Sequence, residues 1–220
     1  IDGQREAIRN TLQAGMGLGR NPRSVALDIV GRVGKSQVRQ GGIIGLHEQY
    51  AQFVDTARFE LLALDKNYLT RARRDRRFDS LVRKAINSDT PLTDSQVDTL
   101  VSQYADSLLQ LRGENIARTE AMEAVNAGRA EAWAQAVEDG ALKTSQAVKV
   151  WESASDRRTR DTHRAMEGQR VGLDAAFETG DGEKMLFPGD TSLGATAHNT
   201  INCRCFVRVE VDFIGLAANG

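Results

Sequence analysis

The sequence predicts an α+β protein, in which a mainly helical N-terminal region precedes a small mixed domain with a short antiparallel sheet. Apolar residues recur at helical spacing through the first half of the chain, and strand-like patterns begin only after about residue 146. The chain has 220 residues, enough for one large domain or two small ones. We therefore expect a helical region over 1–111 and a separate domain over 112–220.

Spacing and capping signals predict the helices of the first region. From Leu46 to Leu64, apolar side chains repeat every three or four residues, which indicates one face of a long amphipathic helix. A shorter helix is predicted over 24–30. Thr93 and Gln96 have the spacing of a capping box, so another helix is expected to begin there.

Glycines and alternating patterns predict the elements of the second half of the chain. We expect Gly113 to interrupt the helix that Thr93 begins, and Gly140 to end the helical run after it. A helix over 157–167 is predicted, led by Asp156. Strands are predicted over 147–151, 184–187 and 205–211, the last with clear alternation.

Composition excludes several classes of protein. The chain carries 29 basic and 30 acidic side chains, a net charge of −1, which excludes a histone-like protein and an acidic tail protein. No run of about 18 apolar residues is present, so we predict no membrane span. Only two cysteines occur, which excludes a disulfide scaffold and indicates synthesis in a reducing compartment. No signal peptide is visible, and a start at Ile1 without methionine is typical of a piece of a longer product.

One motif resembles a nucleotide-binding loop but is incomplete. Gly34-Lys35-Ser36 matches the end of a phosphate-binding loop, yet the pattern requires a glycine where this chain has Ile29. We therefore do not predict nucleotide hydrolysis.

A cluster of arginines is the most conspicuous charged feature. Cations are dense over 71–84 and are opposed by Asp75 and Asp79. The candidate binding residues are Arg71, Arg73, Arg74, Arg76 and Arg77. Such a cluster can contact DNA phosphates, form salt bridges with an acidic neighbouring subunit or remain a solvated face. No aromatic residues interleave with the arginines to stack bases, so we interpret it as an interaction surface.

The C-terminal region contains a candidate metal site. Cys203 and Cys205 are separated by one residue, a spacing that strains a mutual disulfide. With His163 they form a donor set that suits zinc, and Asp156 or His198 is the candidate fourth ligand. Asp156 and His163 would share one face of the predicted helix. The alternatives are packing of the cysteines as small apolar residues, or a Cys–His or zinc hydrolase, for which no local signature is present.

Several short motifs together resemble the phage Mu F-like minor head proteins, the phage head morphogenesis family. The resemblance covers roughly residues 112–211 and closes on Asn202-Cys203-Arg204-Cys205. In order, the matching positions are Arg118-Thr119-Glu120, Asn126, Trp151, Asp156, Arg158, Arg160, His163, Gly168-Gln169, Phe177, Pro188-Gly189-Asp190 and the Asn-Cys-Arg-Cys motif.

This resemblance implies a structural protein of the phage head rather than an enzyme. Members of the family are minor head components that associate with the portal and act in head assembly and in DNA packaging or delivery. The resemblance thus implies synthesis in the host cytoplasm and a location in the head interior. It also implies portal and other head proteins as partners, and non-specific contact with phage DNA. Asp156, His163, Cys203 and Cys205 are its signature positions. The alternatives are a zinc- or cysteine-dependent hydrolase and a toxin-delivery module that carries the same domain.

Overall fold

The computed structural model describes residues 2–33 and 39–212. The described residues form two compact units, and the chain passes from the first to the second between Glu114 and Asn115. The α-helices are α1 (Asp2–Gly17), α2 (Pro22–Val30), α3 (Glu48–Leu62), α4 (Asp79–Asn87), α5 (Asp94–Glu138), α6 (Asp161–Arg164) and α7 (Ala197–Thr200). The strands are β1 (Arg32–Val33), β2 (Arg39–Gln40), β3 (Ala147–Glu152), β4 (Arg170–Gly172), β5 (Phe177–Glu178), β6 (Lys184–Met185) and β7 (Phe206–Val211).

The first unit is helical and has its own apolar core. Its centre is formed by buried side chains from α3, from α4 and from the first half of α5, including Leu61, Val82 and Leu100. The amphipathic pattern predicted over Leu46–Leu64 corresponds to α3, and most of its apolar residues pack on this core. Burial of this stripe from water stabilises the helix more than its intrinsic propensity does.

The predicted start of α5 is confirmed by its hydrogen bonds. The backbone N–H of Gln96 donates to Thr93 Oγ1 at 3.3 Å, and the backbone N–H of Thr93 donates to Gln96 Oε1 at 2.9 Å. This capping box satisfies two backbone donors at the helix start. Gly140, with φ of +73°, follows the end of the helix, in agreement with the prediction.

The predicted interruption at Gly113 is wrong, because α5 continues through it as a helix of 45 residues. Gly113 is buried, and a Cβ built on it would lie 2.4 Å from Val30 Cγ1. The glycine therefore permits close approach of α2 to α5. The cost of glycine inside a helix, about 1 kcal/mol, is small beside the packing gained along so long a helix.

The second unit contains a three-stranded antiparallel sheet in the order β4-β3-β7. In its register Lys149 lies opposite Val209 and Trp151 opposite Val207. A separate two-stranded ladder pairs β5 with β6. The core beside the sheet includes Trp151, which is fully buried. The predicted α+β fold is thereby confirmed.

The helix predicted over 157–167 is far shorter in the structure. Only α6, Asp161–Arg164, is helical, and the residues before it form a turn. The Asp156 carboxylate accepts the backbone N–H of Arg158 at 2.8 Å, which favours a turn at that point. Asp156 and His163 therefore do not share a helix face.

Two further expectations concern the N-terminal unit and the membrane. The incomplete phosphate-loop motif Gly34-Lys35-Ser36 lies outside the described residues, between the paired strands β1 and β2. Among the described residues, none of the helices combines the length and the hydrophobicity that crossing a bilayer requires.

Candidate functional site

The structure brings His163, Cys203 and Cys205 together in a buried cluster. His163 lies on α6, and both cysteines lie in the segment between α7 and β7. The Nδ1 atom of His163 is 3.5 Å from Cys203 Sγ and 3.4 Å from Cys205 Sγ. The three side chains are 1%, 4% and 3% exposed. The sequence indicates which residues could act together, and the structure shows that their side chains are in contact.

The surroundings of the cluster are apolar. The His163 ring packs edge-to-face on Trp151, with ring centroids 5.4 Å apart. Met166 and Phe177 belong to the same fully buried core. No described residue makes a hydrogen bond to Nε2 of His163, although that atom is buried. A buried ring nitrogen without a hydrogen-bond partner costs free energy.

The two thiols differ in their tendency to ionise. Hydrogen bonding from Cys205 lowers the pKa of Cys203, and the nearby guanidinium groups of Arg160 and Arg204 act in the same direction. The pKa of Cys205 is raised, first because Cys203 is its hydrogen-bonding neighbour and then because it is buried. The pair thus favours one thiolate at Cys203, and a thiolate is the form of cysteine that binds metals.

The spacing of the three donor atoms fits a tetrahedral metal. Their ligand atoms all lie within 4.8 Å of one another. Zinc bonds measure about 2.3 Å to sulfur and 2.0–2.1 Å to nitrogen, so tetrahedral geometry places a sulfur ligand and a nitrogen ligand about 3.6 Å apart. The observed sulfur–nitrogen distances of 3.4 and 3.5 Å are close to this value. Both sulfur–nitrogen distances of the cluster therefore suit a tetrahedral metal ion.

Asp156, a candidate fourth ligand in the sequence, lies outside this group of donors. Its two carboxylate oxygens each accept a guanidinium N–H from Arg204 at 2.6 Å. Arg204 holds the pKa of Asp156 well below its usual range. Since Arg204 separates the two cysteines, this ion pair fixes the loop that carries them. The other candidate, His198, is exposed on α7 and also lies outside the group.

Two polar residues of α5 bind the same region from the helix side. The Asn126 amide donates to the backbone oxygen of Pro188 at 3.0 Å and to that of Cys205 at 3.4 Å. The Thr119 hydroxyl accepts the backbone N–H of Asn202 at 2.9 Å. Asn126 and Thr119 thus bind the backbone of the cysteine loop to α5, and Asn126 also binds the backbone at Pro188.

The arginine cluster of the first unit is largely neutralised within the chain. Arg71 pairs with Glu60 at 2.6 Å, and Arg74 and Arg77 pair with Asp79 and Asp75 at 2.8 and 2.6 Å. These pairs fix the turns between α3 and α4. Sequence reasoning could not separate Arg71 from the free cations, because its partner Glu60 lies outside the cluster.

Arg73 and Arg76 remain as exposed charges. Both side chains are exposed, and neither forms an ion pair with a described residue. The charge of Arg76 contributes, after those of Arg74 and Arg83, to lowering the pKa of Asp79. Arg73 and Arg76 are therefore the candidate arginines without an ion pair to a described residue, and the exposed Lys84 is a third such cation within 71–84.

Comparison with known proteins agrees with the motifs. The sequence profile described as "Phage Mu protein F like protein" matches residues 92–208, just over half of the chain. The chain belongs to this family. The matched segment includes the turn at Asp156, the His163 helix and the cysteine loop, so the family motif coincides with the candidate metal cluster. Membership places this Mu F-like chain among phage proteins of head morphogenesis and implies association with the virion. Neither the curated proteins nor the solved structures include a match to it.

Proposed function

We propose that this Mu F-like chain is a minor structural protein of a tailed-phage head, associated with the portal and acting in head assembly and in DNA packaging or delivery. Membership of the family is the observation that carries the proposal. The helical N-terminal unit contacts portal or capsid proteins, and the C-terminal unit faces the genome in the head interior. The near-zero net charge suits a protein that binds other proteins first.

Arg73 and Arg76 are the proposed centre of a surface that meets an acidic patch of another head protein. Three unpaired cations, Arg73, Arg76 and Lys84, are few for DNA binding by counterion release. Neutralising three phosphates gives a salt slope of about −2.7, so a fourfold rise in salt weakens binding only about 40-fold. Two guanidinium groups, in contrast, suit bidentate contacts with carboxylates of a partner protein.

Charge reversal tests this surface. Arg73→Glu combined with Arg76→Glu should reduce co-purification with the portal protein of the same phage at least tenfold, because like charges then oppose each other. The fold should be retained, since neither arginine is paired with a described acid. Arg157→Glu with Lys184→Glu is the control, an equal charge change at two exposed positions of the other unit.

Two results would count against that surface. Unchanged co-purification and unchanged incorporation into heads assembled by co-expression would remove it from the proposed interface. Loss of DNA retardation in a gel with intact portal binding would assign the two arginines to the genome instead.

We also propose that the cluster of His163, Cys203 and Cys205 holds one zinc ion with a structural role. The three donors fill three of the four positions of tetrahedral zinc, and their burial supports a structural rather than a hydrolytic role. A hydrolytic zinc needs an open position that substrate can reach, whereas these three side chains are at most 4% exposed. A zinc ion bound here would link α6 to the loop before β7 and so stabilise the second unit.

Metal analysis of the purified protein tests the zinc proposal. We expect one zinc per chain, retained through dialysis and lost in Cys203→Ser, with visible thiolate absorption after cobalt(II) substitution. His198→Ala, which removes a nearby exposed imidazole, should keep the metal. Protein purified without metal that also fails to bind added zinc or cobalt would assign the cysteines to apolar packing.

A further inference from the structure

A cleft in the second unit has no role in the functions proposed above. It lies between the C-terminal half of α5 and the face of β3 and β7 that carries Lys149, and its volume is about 250 Å³. Half-buried apolar side chains form most of its wall, among them Trp133, Leu173 and Phe187. At about 30 Å³ per water in the liquid, it holds roughly eight water-sized groups, which is close to one large amino-acid residue.

Lys149 is the unusual member of this wall. It is 6% exposed, and its ammonium lies 5.2 Å from the centre of the Phe177 ring. Nζ donates to the backbone oxygen of Leu186 at 2.9 Å. No carboxylate of a described residue forms an ion pair with it. An ammonium has three N–H donors, so two remain for another acceptor.

The acids that influence Lys149 do not neutralise it. Asp190 acts on it at a distance, but its two oxygens accept the backbone N–H groups of Leu186 and Ser192, each at 2.8 Å. Asp174 lies at the cleft and is exposed. A buried cation without a direct counter-ion is costly, and an anion that enters the cleft would remove part of that cost. Burial lowers the pKa of Lys149, in agreement with this missing partner.

The cleft continues along α5. A second, more open space of about 540 Å³ shares Lys149, Leu186 and Phe187 with it and extends beside Ala127, Gly128 and Ala134. Small side chains on a helix allow another backbone to approach closely. This second space gives room for further residues of a chain whose anionic end lies at Lys149. A free small acid would not use that room.

We propose that this cleft binds the C-terminal residue of a partner polypeptide, with its free carboxylate on Lys149 and a large apolar side chain against Trp133, Leu173 and Phe187. The preceding residues of the partner follow the groove beside α5. Capture of a terminal carboxylate is a known way in which proteins recognise peptides. The proposal rests on the cleft alone and does not depend on a role in the phage head.

Peptide titration with the full chain tests the proposal. The probe is N-acetyl-Ala-Ala-Phe with a free C-terminus, and its carboxamide is the uncharged counterpart. Binding should change the fluorescence of Trp133, and calorimetry should give an affinity for the free acid at least tenfold above that for the amide. A charge-assisted hydrogen bond is sufficient for a difference of this size.

Variants locate the binding. Lys149→Met should lower the affinity for the free peptide acid at least tenfold and leave the affinity for the carboxamide unchanged. An apolar replacement of a buried cation is compatible with folding. Ala134→Phe, at an exposed helix position, should block the groove and weaken both peptides. Lys184→Met removes an exposed lysine and is the control that should bind as the wild type does.

Three outcomes would overturn the proposal. They are the absence of binding at millimolar peptide, equal affinity for the acid and the amide, and octanoate binding as tightly as the peptide acid. The last result would identify a free apolar acid as the ligand. Portal binding is measured separately, so failure here leaves the proposed head function untouched.

Discussion

At the scale of single residues, the ion pair of Arg74 and Asp79 shows how this chain uses its charges. Both guanidinium contacts to the carboxylate measure 2.8 Å, and the two side chains are only 9% and 11% exposed. Arg74 also donates to the backbone oxygen of Arg71 at 2.9 Å. The pair therefore fixes the turn that precedes α4, and removing one partner leaves the other buried without a counter-charge.

We predict that Arg74→Ala lowers the free energy of unfolding of the first unit by about 3 kcal/mol at pH 7. Arg83, 3.3 Å from Asp79, compensates only in part. Arg77→Ala is the matched control, because its pair with Asp75 is exposed on the arginine side, and its effect should be much smaller. Urea unfolding followed by circular dichroism measures both, and equal effects of the two variants would contradict the prediction.

The same pair has a defined pH dependence. Hydrogen bonding from Arg74 lowers the pKa of Asp79 below its ordinary value of 3.8. Its stabilisation is therefore complete above that value and is lost as the pH falls through the lowered pKa of the folded state. The stability difference between wild type and Arg74→Ala should be constant from pH 7 to about pH 5 and should shrink below about pH 4.

At this scale the sequence predicts which residues can donate to a metal, but it does not predict which other side chains bind to the candidate ligands. His163, Cys203 and Cys205 are predicted as a group and do converge. Asp156, one of the two candidate fourth ligands, lies outside that group and pairs with Arg204, a partner that helical spacing cannot reveal. Lys149 is missed, although its position between Ala147 and Trp151 in a period-two pattern places it on the inward face.

At the scale of elements, the sequence predicts reliably those features that depend only on neighbouring residues in the chain. The capping box at Thr93 and Gln96 involves only four consecutive residues, so the sequence determines it, and α5 begins as predicted. Gly113 depends on its tertiary neighbour Val30, which no local pattern reports. The helix expected over 157–167 is shortened because the side chain of Asp156 binds the backbone of the following turn.

For other elements the sequence predicts the type of secondary structure but not its length. Alternation predicts β3 and β7 well, since both pack one face against an apolar core. The strand expected over 184–187 is only Lys184–Met185 in β6. The first helix, Asp2–Gly17, is missed by sequence reasoning, because its glycine-rich C-terminal turns favour a loop. Gly15 is instead a contact point, where an added Cβ would lie 2.4 Å from Val25 Cγ2.

At the scale of the whole molecule, the two units have separate cores and separate optical reporters. All three tyrosines lie in the first unit, two of them buried in its core, whereas Trp133 and Trp151 lie in the second. Tryptophan fluorescence therefore follows the second unit alone, and far-ultraviolet circular dichroism follows the helices of both. A perturbation confined to one core should change one signal more than the other.

We predict two thermal transitions in the full chain, of which zinc removal shifts only the one seen by tryptophan fluorescence. A ligand that binds only the folded state stabilises that state, so a chelator should lower the midpoint of the second unit by several degrees. Arg74→Ala should lower only the other transition. Cys203→Ser should unfold at the chelated midpoint and respond no further to chelator. A single coincident transition that chelator and Arg74→Ala both shift would mean that the two cores unfold as one cooperative structure.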